Sequence, residues 1–99
     1  MACKIIWSPV SRDDLRDLVR AIAADSPERA EQFAYRLMQQ TDKLQEFPES
    51  GRQVPEKRDP HIREIIVPPY RVIYRFRSQQ HLVEIVRVWH SARGVPQTD

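Results

Sequence analysis

The chain has 99 residues, 40% of them hydrophobic and 30% charged, with a net charge of +2. That is enough for one domain around one modest core, and it excludes a disordered chain. No apolar run approaches the roughly 20 residues that cross a bilayer, and the stretch before Pro9 is too short for a secretory leader, so a cytoplasmic protein is expected.

In chain order, "KIIW" (residues 4–7) is a short β-type run stopped by Ser8-Pro9 and reads as a first strand. A helix is predicted over residues 9–24, because Leu15, Leu18, Val19, Ile22 and Ala23 recur at helical spacing. Ser8 with Pro9, or Ser11 with Asp14, can cap it, and Asp13, Asp14 and Asp17 suit the positive end of its dipole. Ser26-Pro27 repeats the device for a second helix over 27–46, with Ala30, Phe33, Ala34, Leu37, Met38, Thr41 and Leu44 as its inner stripe. Pro48 stops it near Phe47. The two helices form an α-hairpin.

Residues 48–61 hold Pro and Gly without periodicity and are expected to be a solvated loop, whose Arg52, Lys57 and Arg58 could reach a partner. Strands follow at 62–67, 71–77 and 81–90, with short turns that imply an antiparallel meander. In the middle one, Val72, Tyr74 and Phe76 alternate with Arg71, Ile73, Arg75 and Arg77. The order β-α-α-β-β-β predicts a single α+β domain over 1–99, with the hairpin on one face of an antiparallel sheet.

Charge is unevenly spread. Residues 1–50 carry seven Lys/Arg against nine Asp/Glu, a balance of −2, and residues 51–99 carry nine against five, a balance of +4. The basic half is mostly arginine, the better side chain for two-pronged contact with phosphate or carboxylate. Arg71, Arg75 and Arg77 share a strand face, and Arg63 and Arg87 could join them; Arg93 follows the last strand. These six are the candidate target-binding residues. The alternative is an exposed face of local ion pairs, with Glu64 and Glu84 as partners.

His90 ends the last strand, where an imidazole could move a proton beside an arginine on a scissile phosphate. The alternative is a histidine that caps carbonyls or packs on Trp89. Trp7 and Trp89 could stack on bases, but their apolar neighbours favour the core, and of the tyrosines Tyr70 is the one free to act. His61 and His81 read as loop or turn residues. One cysteine, Cys3, and three scattered histidines lack metal-ligand spacing, and two glycines make no phosphate-cradling loop, so no metal or cofactor is expected.

Taken together, "WSPVSRDDLRDLVRAIAADSPERAEQFAYRLMQQTDKLQEFPESGR", "IREIIVPPYRVIYRF" and "VEIVRVWHSAR" resemble the RelE/ParE superfamily of bacterial toxins over Lys4 to Arg93. The resemblance implies the same β-α-α-β-β-β fold and the toxic half of a type II toxin–antitoxin pair. It also implies a cognate antitoxin as partner, whose disordered segment folds as it wraps the toxin, giving a hetero-oligomer. RelE-like members cut mRNA on the ribosome. Arg71 matches their strand arginine and His90 lies near the C-terminal histidine of some, so that branch would use Arg71 and Arg93 on phosphate with His90 or Tyr70 in proton transfer. No tyrosine follows Tyr74, however, and the lysine-rich second strand is reduced to Arg63. ParE-like members poison DNA gyrase instead, and the long capped hairpin and the C-terminal pattern are nearer to them.

Overall fold

A computed structural model describes residues 2–98. Two helices pack on one face of a five-stranded sheet, in the predicted α+β order with one added strand. The elements are β1 (Lys4–Trp7), α1 (Pro9–Asp25), α2 (Pro27–Asp42), β2 (Arg52–Gln53), β3 (Ile62–Val67), β4 (Tyr70–Arg77) and β5 (Leu82–His90), and the sheet order is β1-β5-β4-β3-β2.

The sheet is mixed rather than antiparallel. β1 lies parallel to β5, with Lys4 opposite Leu82 and Trp7 opposite Ile85. Two helices intervene between β1 and the other strands, so no tight turn dictates its direction. The β3–β4–β5 meander is antiparallel, as its short turns predict, and Pro68–Pro69 alone separates Val67 from Tyr70.

Both helix starts follow the sequence. The Ser8 hydroxyl accepts from the Ser11 amide at 3.0 Å and donates to the Val86 carbonyl at 3.1 Å, so the cap also ties α1 to β5. Val86 is the extra residue of a bulge, where the register steps from Ile73–Arg87 to Tyr74–Ile85. Ser26 ends α1 through its amide on Ile22 and starts α2 through its hydroxyl, with Pro27 at the first position. Asp14 does not complete a capping box. α2 stops at Asp42, earlier than Pro48 alone predicts, and a 3-10 turn carries Lys43–Gln45. Thr41 bonds back to the Leu37 and Met38 carbonyls there, a contact that competes with the helical pattern.

The main core lies between hairpin and sheet: Leu18, Phe33, Leu37 and Leu44 meet Val67, Val72, Tyr74, Val83, Ile85 and Val88, and Cys3 packs at its edge. A second cluster, Val54, Ile62, Ile73 and Trp89, fills the opposite face. Residues 48–61 are therefore a strap and not a solvated loop. They supply β2, which pairs with β3, and bury Val54 completely. Tyr74 anchors the strap by donating to the Pro48 carbonyl at 2.8 Å and accepting from the Gly51 amide at 3.0 Å. Burial raises the Tyr74 phenol above its ordinary pKa, which keeps it a donor.

Gly51 is held to glycine by this approach. A Cβ there would lie 2.5 Å from the Tyr74 hydroxyl and 2.6 Å from the Glu64 carbonyl oxygen. Gly51→Ala is expected to cost about 1–3 kcal/mol of stability through forced displacement of the strap, read as a lowered midpoint in urea unfolding.

Candidate functional site

The arginine-rich sheet face is built from side chains that mostly hold one another. Glu64, with its side chain fully buried, takes Arg71 Nε on one oxygen and Arg52 Nε on the other, each at 2.6 Å. Arg71 then grips Glu56 of the strap with both terminal nitrogens, at 2.9 and 2.8 Å. The cluster has two arginines and two glutamates, so its formal charge is zero. The hydrogen bonds from Arg71 hold the Glu56 carboxyl down at about 2, and the two carboxylates raise Arg71 further above its already high value.

The other candidates are similarly engaged. Arg75 meets Asp59 at 3.3 Å, Arg77 meets Glu84 at 3.5 Å, and Arg87 forms a two-pronged pair with Asp14 at 2.8 and 3.0 Å. Asp14 also accepts the Val88 amide, which β1 is too short to cover. Arg63 does not join this face. It lies opposite Tyr74 on the hairpin side, bonded to the Gly51 and Glu49 carbonyls, with the Glu49 carboxylate at 3.8 Å. A cleft of 340 Å³ at the β4–β5 turn is lined by His61, Arg75 and Arg77, the two arginines already paired.

At the other end of the sheet, Tyr70, His90 and Arg93 come together around a cleft of 260 Å³ that Asp14 and Asp17 also line. Tyr70 is not free: its half-buried ring packs between Phe33, at 5.4 Å between centroids, and the edge of His90, at 5.1 Å. His90 Nδ1 accepts from the Ala92 amide at 3.0 Å and so caps the 3-10 turn Ser91–Arg93. The Arg93 guanidinium lies 4.0 Å from the Trp89 ring centroid. Trp89 is a core residue, as its neighbours suggest, but of the second cluster. Among the described residues, Arg93 alone of the six candidate arginines has no carboxylate partner. No three His, Cys, Asp or Glu side chains converge there as metal ligands.

A feature the sequence reading missed lies on the hairpin. Met38, assigned to the inner stripe, is 37% exposed. With Trp7, Leu15 and Val19 it floors an open groove of 540 Å³, rimmed by Arg12, Arg16 and Arg20 and lined by no carboxylate. The i, i+4, i+8 spacing of those arginines was the available signal.

Fold and site define a small α+β domain whose conspicuous features are a self-neutralised arginine face, an arginine stacked on Trp89 without a carboxylate partner among the described residues, and an open apolar groove. The chain belongs to the ParE toxin family of type II toxin–antitoxin systems, whose model matches residues 5–95. It is 35% identical over 91 residues to the toxin RelE2 of Caulobacter vibrioides, covering 91% of this chain and 97% of that protein. It is similar in fold to a chain of the chromosomal ParDE system of P. aeruginosa (TM-score 0.72, 18% identity, 90% and 96% covered). It is also similar in fold to a chain of the RelBE2 toxin–antitoxin complex of Mycobacterium tuberculosis (TM-score 0.60, 23% identity, 91% and 99% covered). Among the described residues no helix is long and apolar enough to cross a membrane.

Two outcomes follow from the buried network. Arg71→Ala leaves the Glu64 charge buried with one partner fewer and is expected to cost about 3–5 kcal/mol, measured by denaturant unfolding. Because the Glu56 pKa is lowered from 4.5 to about 2, its contribution is complete above about pH 4.5 and is lost as the pH falls toward 2. The melting temperature should drop across that window, and Glu56→Gln should flatten the drop.

Proposed function

We propose that this toxin acts by binding a protein target, DNA gyrase, in the manner of ParE-like members, and that a cognate antitoxin neutralises it. The observation that carries the reading is the engagement of Arg71. A nuclease arginine must turn its donors toward charge building on phosphate oxygens, whereas here Nε, Nη1 and Nη2 all face Glu64 and Glu56. His90 Nδ1 is engaged by a backbone amide, and no tyrosine follows Tyr74 to complete a nuclease set. The test is a supercoiling assay with purified gyrase and relaxed plasmid. Loss of supercoiling with trapped cleaved DNA is expected. Unchanged supercoiling at excess toxin, together with codon-positioned cuts in translated mRNA, would establish the ribosome-dependent ribonuclease instead.

The hairpin groove supports the antitoxin half of the proposal. An apolar floor of Trp7, Leu15, Val19 and Met38 beside Arg12 and Arg20, with Arg16 between them paired to Asp13 and Asp17, fits an amphipathic helix with acidic flanks. Met38→Glu places a like charge and a polar group in the floor at an already exposed position. It is expected to weaken antitoxin binding about tenfold or more by calorimetry, at unchanged melting temperature. Unaltered affinity would remove the groove from the interface.

A further inference from the structure

We infer that Arg93 is the residue through which the His90 end of the sheet grips a carboxylate on the protein target, and that His90 is the positioning residue that aims it. The inference rests on the protein-target reading above. Arg63, Arg71, Arg75, Arg77 and Arg87 are each satisfied by carboxylates of this chain, and among the described residues Arg93 is not. It is exposed, yet its guanidinium lies against the Trp89 ring, which spends rotamer freedom before binding rather than during it. Trp89 is itself fixed: its face also carries Arg87 at 4.9 Å, and its Nε1 donates to the Gly94 carbonyl at 3.2 Å.

The turn that delivers Arg93 is held at two points. The Ser91 amide donates to the Pro69 carbonyl at 3.0 Å, and the Ala92 amide donates to His90 Nδ1 at 3.0 Å. The second bond requires an unprotonated Nδ1, so the ring acts as a helix-cap acceptor in the way asparagine does. Gly94, at φ 84, then turns the chain so that its carbonyl meets Trp89. The local charge favours a carboxylate over a nucleic-acid backbone. Asp17 lines the cleft beside Arg93 and disfavours a polyanion more than a lone carboxylate, Asp14 being already paired with Arg87, and a single carboxylate matches the single open fork.

Four proteins test this: wild type, Arg93→Ala, His90→Ala and His90→Asn, each scored for gyrase inhibition, growth arrest, antitoxin affinity and melting temperature. Arg93→Ala is expected to need about tenfold more toxin or greater for half-inhibition, with antitoxin affinity kept. His90→Ala should weaken inhibition likewise, and His90→Asn should recover it. Both His90 variants lose the ring against Tyr70, so their difference isolates the cap. Wild-type inhibition by Arg93→Ala would overturn the contact, and equal weakness of the two His90 variants would overturn the positioning role. Arg93-dependent binding of a bare DNA duplex would overturn the carboxylate in favour of phosphate. A wrong target would show separately, as unaffected supercoiling in the wild type, while the ranking in growth arrest still decides the part played by Arg93.

Discussion

The Glu64 carboxylate is fully buried in the sheet face, and it is tolerated there because Arg71 and Arg52 each bring a guanidinium nitrogen within 2.6 Å of one of its oxygens. A lone carboxylate in that position would be costly enough to disrupt the fold. Its partners come from β4 and from the strap, and Arg71 reaches on to Glu56, also in the strap. The ionic cluster thus pins residues 48–61 over the sheet. With the strap in place, Val54 can seal Ile62, Ile73 and Trp89 from water. A two-residue strand alone could not hold such a segment.

This constraint shapes the functional surface as well. A sheet face with several arginines looks from the sequence like an anion-binding stripe. Once Glu56, Glu64, Asp59, Glu84 and Asp14 have closed on it, little uncompensated charge is left for a polyanion. Charge left open lies elsewhere: on Arg93 beyond the end of β5, and on Arg12 and Arg20 at the apolar groove of the hairpin, where Arg16 is held by Asp13 and Asp17. On the proposed reading, Arg93 serves the target and the groove the antitoxin, on separate surfaces.

Some of this was legible in advance because it is local. Ser8-Pro9 and Ser26-Pro27 cap helices through atoms within three residues, so the motif suffices. The alternation of Val72, Tyr74 and Phe76 marks the hairpin side of β4 because successive side chains of a strand point to opposite faces. Glu64 and Glu84 were recognisable as partners for the arginine face, though not which arginine each would take. Asp14 was misread because its partners, Arg87 and the Val88 amide, lie 73 and 74 residues away. The strap was misread because Val54, a single apolar residue among charges and prolines, has no period to reveal it.

The sequence by itself determined the hairpin, the three-strand meander, the arginine-rich half and the resemblance to RelE/ParE toxins, since each resides in periodicity, caps or motif order along the chain. Only the tertiary structure decided that β1 runs parallel to β5, that Arg71 is engaged by two glutamates, that His90 accepts an amide proton, and that Arg93 alone of the candidate arginines is without a carboxylate among the described residues. For β1 the reason is the two helices that separate it from its partner strand; for the side chains it is that availability to a partner depends on which groups lie within hydrogen-bonding distance. For Arg71 those groups lie 7 and 15 residues away and for His90 only 2, so the folded backbone and not chain separation decides whether they meet.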